Sequence, residues 1–372
     1  MMSQIENKVK LSLLILVFAL LSVLPGKVML AAEENGANGE ISESTGFTYK
    51  INFPENQIDS SLGYFKLKMQ PNQTQKISLT LGNLGSEKTT VEVGLNGAKT
   101  NQNGVVEYGD SPLKNDPSLK FDFTDIVSGP ETVELGPKEV KDVEITIQMP
   151  KENLEGVVAG GIYLSKANQG ESSSEKSTGS KVVNKYAYIV AVVLQEAEEV
   201  TLKPDLEFNQ VFAGQNNYRN AILVNFSNVI ATYLYDMAID VQISKKSQNE
   251  VLYERKELAM KMAPNSFIEF PVSMNGEKMV NGDYSARILV TSQDQKWEWI
   301  EDFKITQKEA DKFNQRDVSL VQEKGIDWRV VFLLVISGIV IVGVIVGGLK
   351  LSQHKKNQAK SSGKSARRKK GQ

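Results

Sequence analysis

The chain has 372 residues, 41% hydrophobic and 24% charged, with a formal net charge of −2, one histidine and no cysteine. Its length allows two domains of ordinary size, each able to bury a core. With His354 as the lone histidine and no thiol, a Ser-His-Asp triad, a Cys-His pair and the usual zinc ligand sets are excluded from everything N-terminal to it.

In chain order, Lys8 and Lys10 precede the uncharged run LSLLILVFALLSVL at Leu11–Leu24, followed by Pro25-Gly26 and the small pair Ala31-Ala32. This is the pattern of a secretory signal peptide over residues 1–32. Its apolar core falls short of the roughly 20 residues that a spanning helix needs. Met29 or Leu30 stands where a small residue usually precedes the cleavage site. Residues 33–46, EENGANGEISESTG, are polar and acidic and are expected to be a disordered leader.

From Phe47 the pattern turns to short alternating strands. QKISLTL places Ile77, Leu79 and Leu81 on one face, TTVEVGL does the same with Val91, Val93 and Leu95, and the turn-rich link between them predicts a half-buried hairpin. VKDVEITIQM alternates Val143, Ile145 and Ile147. FDFTDI carries Asp122 and Asp125, which on an extended segment point to opposite faces and so argue against paired acid-base work.

LEGVVAGGIYLSK, Leu154–Lys166, sets Gly156, Gly160 and Gly161 in an apolar run. Their spacing fits neither the dinucleotide fingerprint nor the P-loop, and no EF-hand spacing occurs elsewhere. Glycines here signal close packing or a bulge. The strand is expected to pair with NKYAYIVAVVL across the serine-rich segment that follows Ser165. Residues 47–200 then form one β-sandwich.

Residues 201–307 show the same alternation in NAILVNFSN, YLYDMAIDVQISKK, SFIEFPVSMNG, GDYSARILVTSQ and KWEWIEDFKIT, which predicts a second sandwich. Trp297 and Trp299 share one face of the last strand, as a packed aromatic pair or a sugar-stacking platform. Residues 308–329 are charged and weakly helical, a stalk. Val330–Leu349 is uncharged and long enough to cross a bilayer, with Trp328 and Arg329 at one border and Lys350 at the other.

The tail 350–372 is strongly basic, and the positive-inside rule places it in the cytoplasm, so the region between the apolar segments faces outward. Residues 1–32 carry +2 and the tail +9 of the net −2, which leaves −13 on the exposed part. That charge argues against nucleic acid as a partner. An exported chain without cysteine fits a Gram-positive envelope better than an animal receptor. The fold class expected is all-β: two tandem immunoglobulin-like β-sandwiches with a signal peptide and one C-terminal transmembrane helix.

Several runs, FPENQIDSSLGYFKLKMQPNQTQKISLTLGN, DPSLKFDFTDIV, EGVVAGGIYL, NKYAYIVAVVL and MAPNSFIEFPVSMNG, resemble the WxL-interacting proteins of Gram-positive bacteria in order and topology. The resemblance covers about residues 47–306. It implies a non-catalytic single-pass surface protein without cofactor or metal. Its first domain would bind peptidoglycan and its second a host ligand such as an extracellular-matrix protein, with secreted WxL-domain proteins as partners. The alternative is a membrane-anchored chaperone for secreted proteins. Trp297-Glu298-Trp299 lacks the leucine of the WxL motif, so the chain is not itself a WxL protein. Peptidoglycan needs amide groups and an apolar or aromatic floor, which Pro54, Asn56, Gln57, Tyr64 and Phe65 offer, unless the stretch is a structural N-terminal strand and turn.

Overall fold

A computed structural model describes residues 45–169, 185–321, 328–346 and 350. The signal peptide, most of the leader, the centre of the serine-rich segment and the tail beyond Lys350 lie outside the described residues.

Alternation of apolar and polar side chains produces strands, in order, β1 (Phe47–Asn52), β2 (Phe65–Lys68), β3 (Thr74–Asn83), β4 (Thr89–Gly97), β5 (Lys99–Thr100) and β6 (Val106–Glu107). A single helical turn, α1 (Phe123–Ile126), leads into β7 (Val127–Ser128), β8 (Thr132–Leu135), β9 (Val140–Gln148), β10 (Val157–Lys166) and β11 (Ala187–Gln195). One sheet has the order β1-β3-β9-β7 and the other β2-β11-β10-β4-β8, while β5 and β6 form a separate ribbon. Ile77, Leu79 and Leu81 of β3 and Val143, Ile145 and Ile147 of β9 share one buried cluster with Val91 and Val93 of β4 and Ile162 and Leu164 of β10. The two sheets therefore sandwich a single core.

This arrangement corrects the hairpin expected from QKISLTL and TTVEVGL. β3 pairs with β1 and β9, whereas β4 pairs with β10 and β8. A period of two establishes that one face is buried, but both partners across a sandwich core show it equally. FDFTDI is also not extended. Asp122 caps α1, accepting from the backbone N–H of Thr124 at 3.0 Å and from its hydroxyl at 2.9 Å, which outweighs the strand pattern locally.

β10 and β11 pair antiparallel from Val157↔Gln195 to Ser165↔Ala187, as expected. The glycines of β10 serve this chain's own packing. A Cβ on Gly160 would meet the Phe123 ring at 2.2 Å, and one on Gly161 would meet Tyr108 Cβ at 2.6 Å. Gly160 thus makes room for a core ring, and Gly161 for the chain that crosses the sheet's outer face.

The second half contributes β12 (Leu206–Asn216), β13 (Arg219–Asn228), β14 (Leu234–Lys245), β15 (Val251–Met262), β16 (Ser266–Ser273), β17 (Gly282–Ser292) and β18 (Gln295–Ile305). They form a three-stranded sheet, β12-β13-β16, and a four-stranded sheet, β15-β14-β17-β18. The fold class is all-β, with two immunoglobulin-like sandwiches following one another along the chain.

Among the described residues, grouping by contact gives unit 1 as those up to Glu207 together with Phe226–Asp236 and Ala259–Ile268, and unit 2 as the remainder. Polar bonds hold the two added segments within unit 1. Ala231 O accepts from Val157 N at 2.8 Å, and Thr100 Oγ1 lies 2.6 Å from Ser266 Oγ and accepts from Ala263 N at 2.9 Å.

The helix α2 (Gln307–Arg316) starts with a reciprocal capping box between Thr306 and Glu309. Beyond it, α3 (Trp328–Val346) has a mean hydropathy of 2.9 and is long and apolar enough to cross a membrane.

Candidate functional site

Unit 1 carries two clefts that meet at the Lys120-Phe121 pair. The larger, about 510 Å³, is walled by Phe121, Ile126, Met149 and Pro150, with Asn72 and Gln148 supplying amides. The smaller, about 370 Å³, has an apolar floor that includes Leu119, Leu154 and Ile230, with Asn153, Glu155 and Asn265 at its polar edge. Phe121 is half-buried and packs on the core cluster, so the ridge it forms is held rigidly from beneath.

The charges around the larger cleft divide into used and unused groups. Lys120 lies 4.9 Å from the Phe121 ring centroid and 2.9 Å from Glu152. The ammonium holds the Glu152 carboxyl below its ordinary range, although an exposed pair of this kind contributes little stability. Burial alone would raise Asp122, but bonds from Thr124 and Asn115 and the charge of Lys99 keep it ionised and low. In contrast, the carboxylate of Asp125 and the ammonium of Lys151 have no partner among the described residues, and both groups line the cleft. The cavity therefore offers one free negative and one free positive charge beside an aromatic wall.

A second aromatic feature of unit 1 gathers tyrosines. The hydroxyls of Tyr108 and Tyr233 are 3.1 Å apart, the rings of Tyr233 and Tyr235 stack with centroids 5.6 Å apart, and Lys261 Nζ stands 5.7 Å above Tyr235. Burial pushes the Tyr233 phenol well above its usual value, with further contributions from Tyr108, Tyr235 and Tyr64.

Of the residues picked from the sequence, Tyr64 joins this group, half-buried. Asn56 donates to Lys68 O at 2.8 Å and accepts from Gln75 at 2.7 Å. Gln57 donates to Asp59 O at 2.8 Å and Tyr64 O at 3.0 Å. Their amides, with the Pro54 carbonyl that accepts from Gln57 N, fasten the turn ahead of β2. Phe65 is fully buried and meets Phe53 edge-on at 6.0 Å, which makes it a core side chain.

On β18, Trp297 and Trp299 stand opposite Val290 and Ile288, both fully buried. The pair therefore leans over the core side of its sheet, Trp299 lying 6.1 Å from Phe208. Trp328 opens α3, with Arg329 next to it, and Lys350 is itself helical. The sequence reading did not single out Phe121 or Lys151, and it set Asp125 aside with Asp122 as a pair of acids; the FDFTDI run held the signal for Phe121 and Asp125, and no pattern marks Lys151.

Two sandwiches, clefts bearing unused polar groups and one helix long and apolar enough to cross a membrane define a two-domain all-β protein with a candidate membrane span. The peptidoglycan-binding domain of WxL Interacting Protein matches residues 47–166, and the host-binding domain of WxL Interacting Protein matches residues 177–315. The chain belongs to the WxL-interacting protein family.

No curated protein sequence matches it. Among solved structures, the CupB2 chaperone of Pseudomonas aeruginosa is similar at 10% identity, covering 62% of this chain and 92% of that one, with a TM-score of 0.24. The class 5 fimbriae chaperone CfaA is similar at 10% identity, covering 68% and 99%, with a TM-score of 0.26. PapD-like domain 7 of human CEP192 is similar at 13% identity, covering 47% and 98%, with a TM-score of 0.24. At such scores these likenesses say nothing about ligands.

Proposed function

We propose that the protein is a non-catalytic scaffold of the Gram-positive envelope. The helix α3 anchors it, the basic tail lies in the cytoplasm, the first domain holds peptidoglycan and the second engages host or protein ligands. In this reading WxL-domain proteins are retained at the wall through the same chain. One observation supports the peptidoglycan assignment most directly: every residue that lines the 510 Å³ cleft falls inside the stretch matching the peptidoglycan-binding domain.

The chemistry is suited to the ligand. Stem peptides carry both free amino and free carboxyl groups, which Asp125 and Lys151 complement, while the amides of Asn72 and Gln148 suit acetamido and peptide groups. Phe121 supplies a flat apolar wall. Retention of the detergent-solubilised full chain on immobilised peptidoglycan tests this. Phe121→Ala and a paired Asp125→Asn, Lys151→Gln variant should each lower retention by about tenfold, the effect of removing a central aromatic contact or a desolvated charge contact. Wild-type retention equal to that on uncoated beads, or full retention by both variants, would refute the assignment.

A further inference from the structure

Unit 2 holds a cavity of about 560 Å³, separate in sequence from the clefts of unit 1, whose wall includes Arg219, Asn220, Arg255, Pro271 and Ser273. Three of these groups bear on what it binds. The guanidinium of Arg219, at the start of β13, is exposed and has no partner among the described residues. Asn220 is 2% exposed and its side chain is sealed behind the wall, its amide nitrogen donating to Asn314 Oδ1 at 2.8 Å. Arg255 is fixed in place, donating to Pro271 O at 2.8 Å and to Glu257 at 3.1 Å, with its guanidinium 4.4 Å from the Phe270 ring centroid.

The acids nearby are already engaged. Glu257 is paired with Arg255, and Asp317 accepts from Asn220 N at 2.7 Å and from Ser319. Arg219 is thus the cation left uncompensated, and a planar guanidinium favours a carboxylate. The turn before Arg219 is rigid, since Asn217 and Tyr218 both adopt the left-handed conformation of a tight hairpin tip and Tyr218 O accepts from Val318 N at 3.0 Å. No aromatic side chain lines the cavity, so it lacks the flat surface on which a sugar ring stacks.

We infer that this cavity takes an aspartate or glutamate side chain presented by an extended peptide segment of a protein ligand. The carboxylate meets Arg219 beside the fixed Arg255. The inference rests on reading the second domain as one that binds host protein.

The test uses the full chain in detergent and a short fluorescein-labelled peptide of alternating glycine and glutamate, with its glutamine counterpart as control. The glutamate peptide should bind saturably and the glutamine peptide should not. Arg219→Gln should weaken binding about tenfold or more, while Lys296→Gln, on β18, should leave it unchanged. Arg219 has no partner to lose, so the variant should keep its thermal midpoint.

No wild-type binding, or equal binding by Arg219→Gln, overturns the inference. Arg219-dependent binding of a heparin oligosaccharide without peptide binding overturns it too, in favour of a sulfated glycan. Adhesion of the wild type to immobilised extracellular-matrix protein is measured alongside. Adhesion without peptide binding removes the cavity and leaves the host-binding reading intact, whereas absent adhesion removes that reading itself.

Discussion

Gly160 lies mid-strand in β10, opposite Val192 of β11 on one side and Gly97 of β4 on the other. Gly160→Ala places a Cβ 2.2 Å from Phe123 Cγ and 2.6 Å from Asn96 O. Phe123 is 1% exposed and has little room to retreat. Asn96 O is a backbone atom in a strand of the same ladder and cannot rotate away. Overpacking a core costs typically about 1–3 kcal/mol, and two rigid obstacles place this site at the upper end. Alanine offsets about 0.4–1 kcal/mol of that by restricting the unfolded chain, leaving a net loss of about 2–2.5 kcal/mol. For a unit of this size the midpoint should fall by about 5–10 °C.

Tryptophan emission is the wrong probe, because the three tryptophans, Trp297, Trp299 and Trp328, all lie in unit 2. Hydrogen exchange at the β10 amides reads unit 1 directly, alongside circular dichroism melting of the whole chain. Gly63→Ala is the control, since nothing lies within 4 Å of its Cβ position. If Phe123 is the obstacle, Phe123→Ala should cost less in the Gly160→Ala background than alone, a coupling that a double-mutant cycle measures. A Gly160→Ala variant within about 0.5 kcal/mol of wild type, the scatter of neutral surface changes, would refute the packing argument.

Two further outcomes concern the chain between the second sandwich and α3. Burial tends to raise the Asp317 carboxyl, but the Ser319 hydroxyl and the backbone N–H groups of Asn220, Ser319 and Leu320 donate to it and hold it below its ordinary value. A depressed folded value means that the stabilisation is complete above the unfolded value near ~3.9 and is lost as pH falls through the folded one. Hydrogen-exchange protection of the Asn220 amide should therefore drop on acidification below about pH 4, and Asp317→Asn should abolish that pH step at a cost of about 1–3 kcal/mol. Protection that is flat across this range would contradict the linkage. Thr306→Ala removes the capping box of α2 and should cost about 1 kcal/mol, seen as faster exchange at the Glu309 amide with β17 and β18 unchanged.

The strands were legible because period-two alternation marks burial directly: Ile77, Leu79 and Leu81 are each at most 2% exposed. Which strands pair was less legible. β3 and β4 display the same alternation as hairpin neighbours would, but they belong to opposite sheets, and pattern alone cannot separate a partner beside a strand from one across the core. α1 was hidden for a related reason. Its one turn is too short to show a helical period, and the capping by Asp122 that creates it depends on a side-chain bond to Thr124.

The candidate sites follow the same division. Aromatic and amide content drew attention to Pro54–Gln57, Tyr64 and Phe65, but residue type does not tell whether a polar group is already satisfied. Asn56 and Gln57 spend their amides on nearby backbone and on Gln75, and Phe65 spends its ring on the core. Asp125, Lys151 and Arg219 keep theirs unspent, which no sequence pattern shows, because charged residues are common on any surface. What distinguishes them is the coincidence of a free charge with a concave wall, in one case Phe121 and Pro150, in the other Asn220 and the fixed Arg255. Such a coincidence joins residues far apart in the chain, as Arg219 and Pro271 are, and it arises only when β13 and β16 are hydrogen-bonded side by side. In this reading a binding site is a property of sheet order, and the single-variant tests at Phe121 and Arg219 probe the sheet arrangement as much as the side chains.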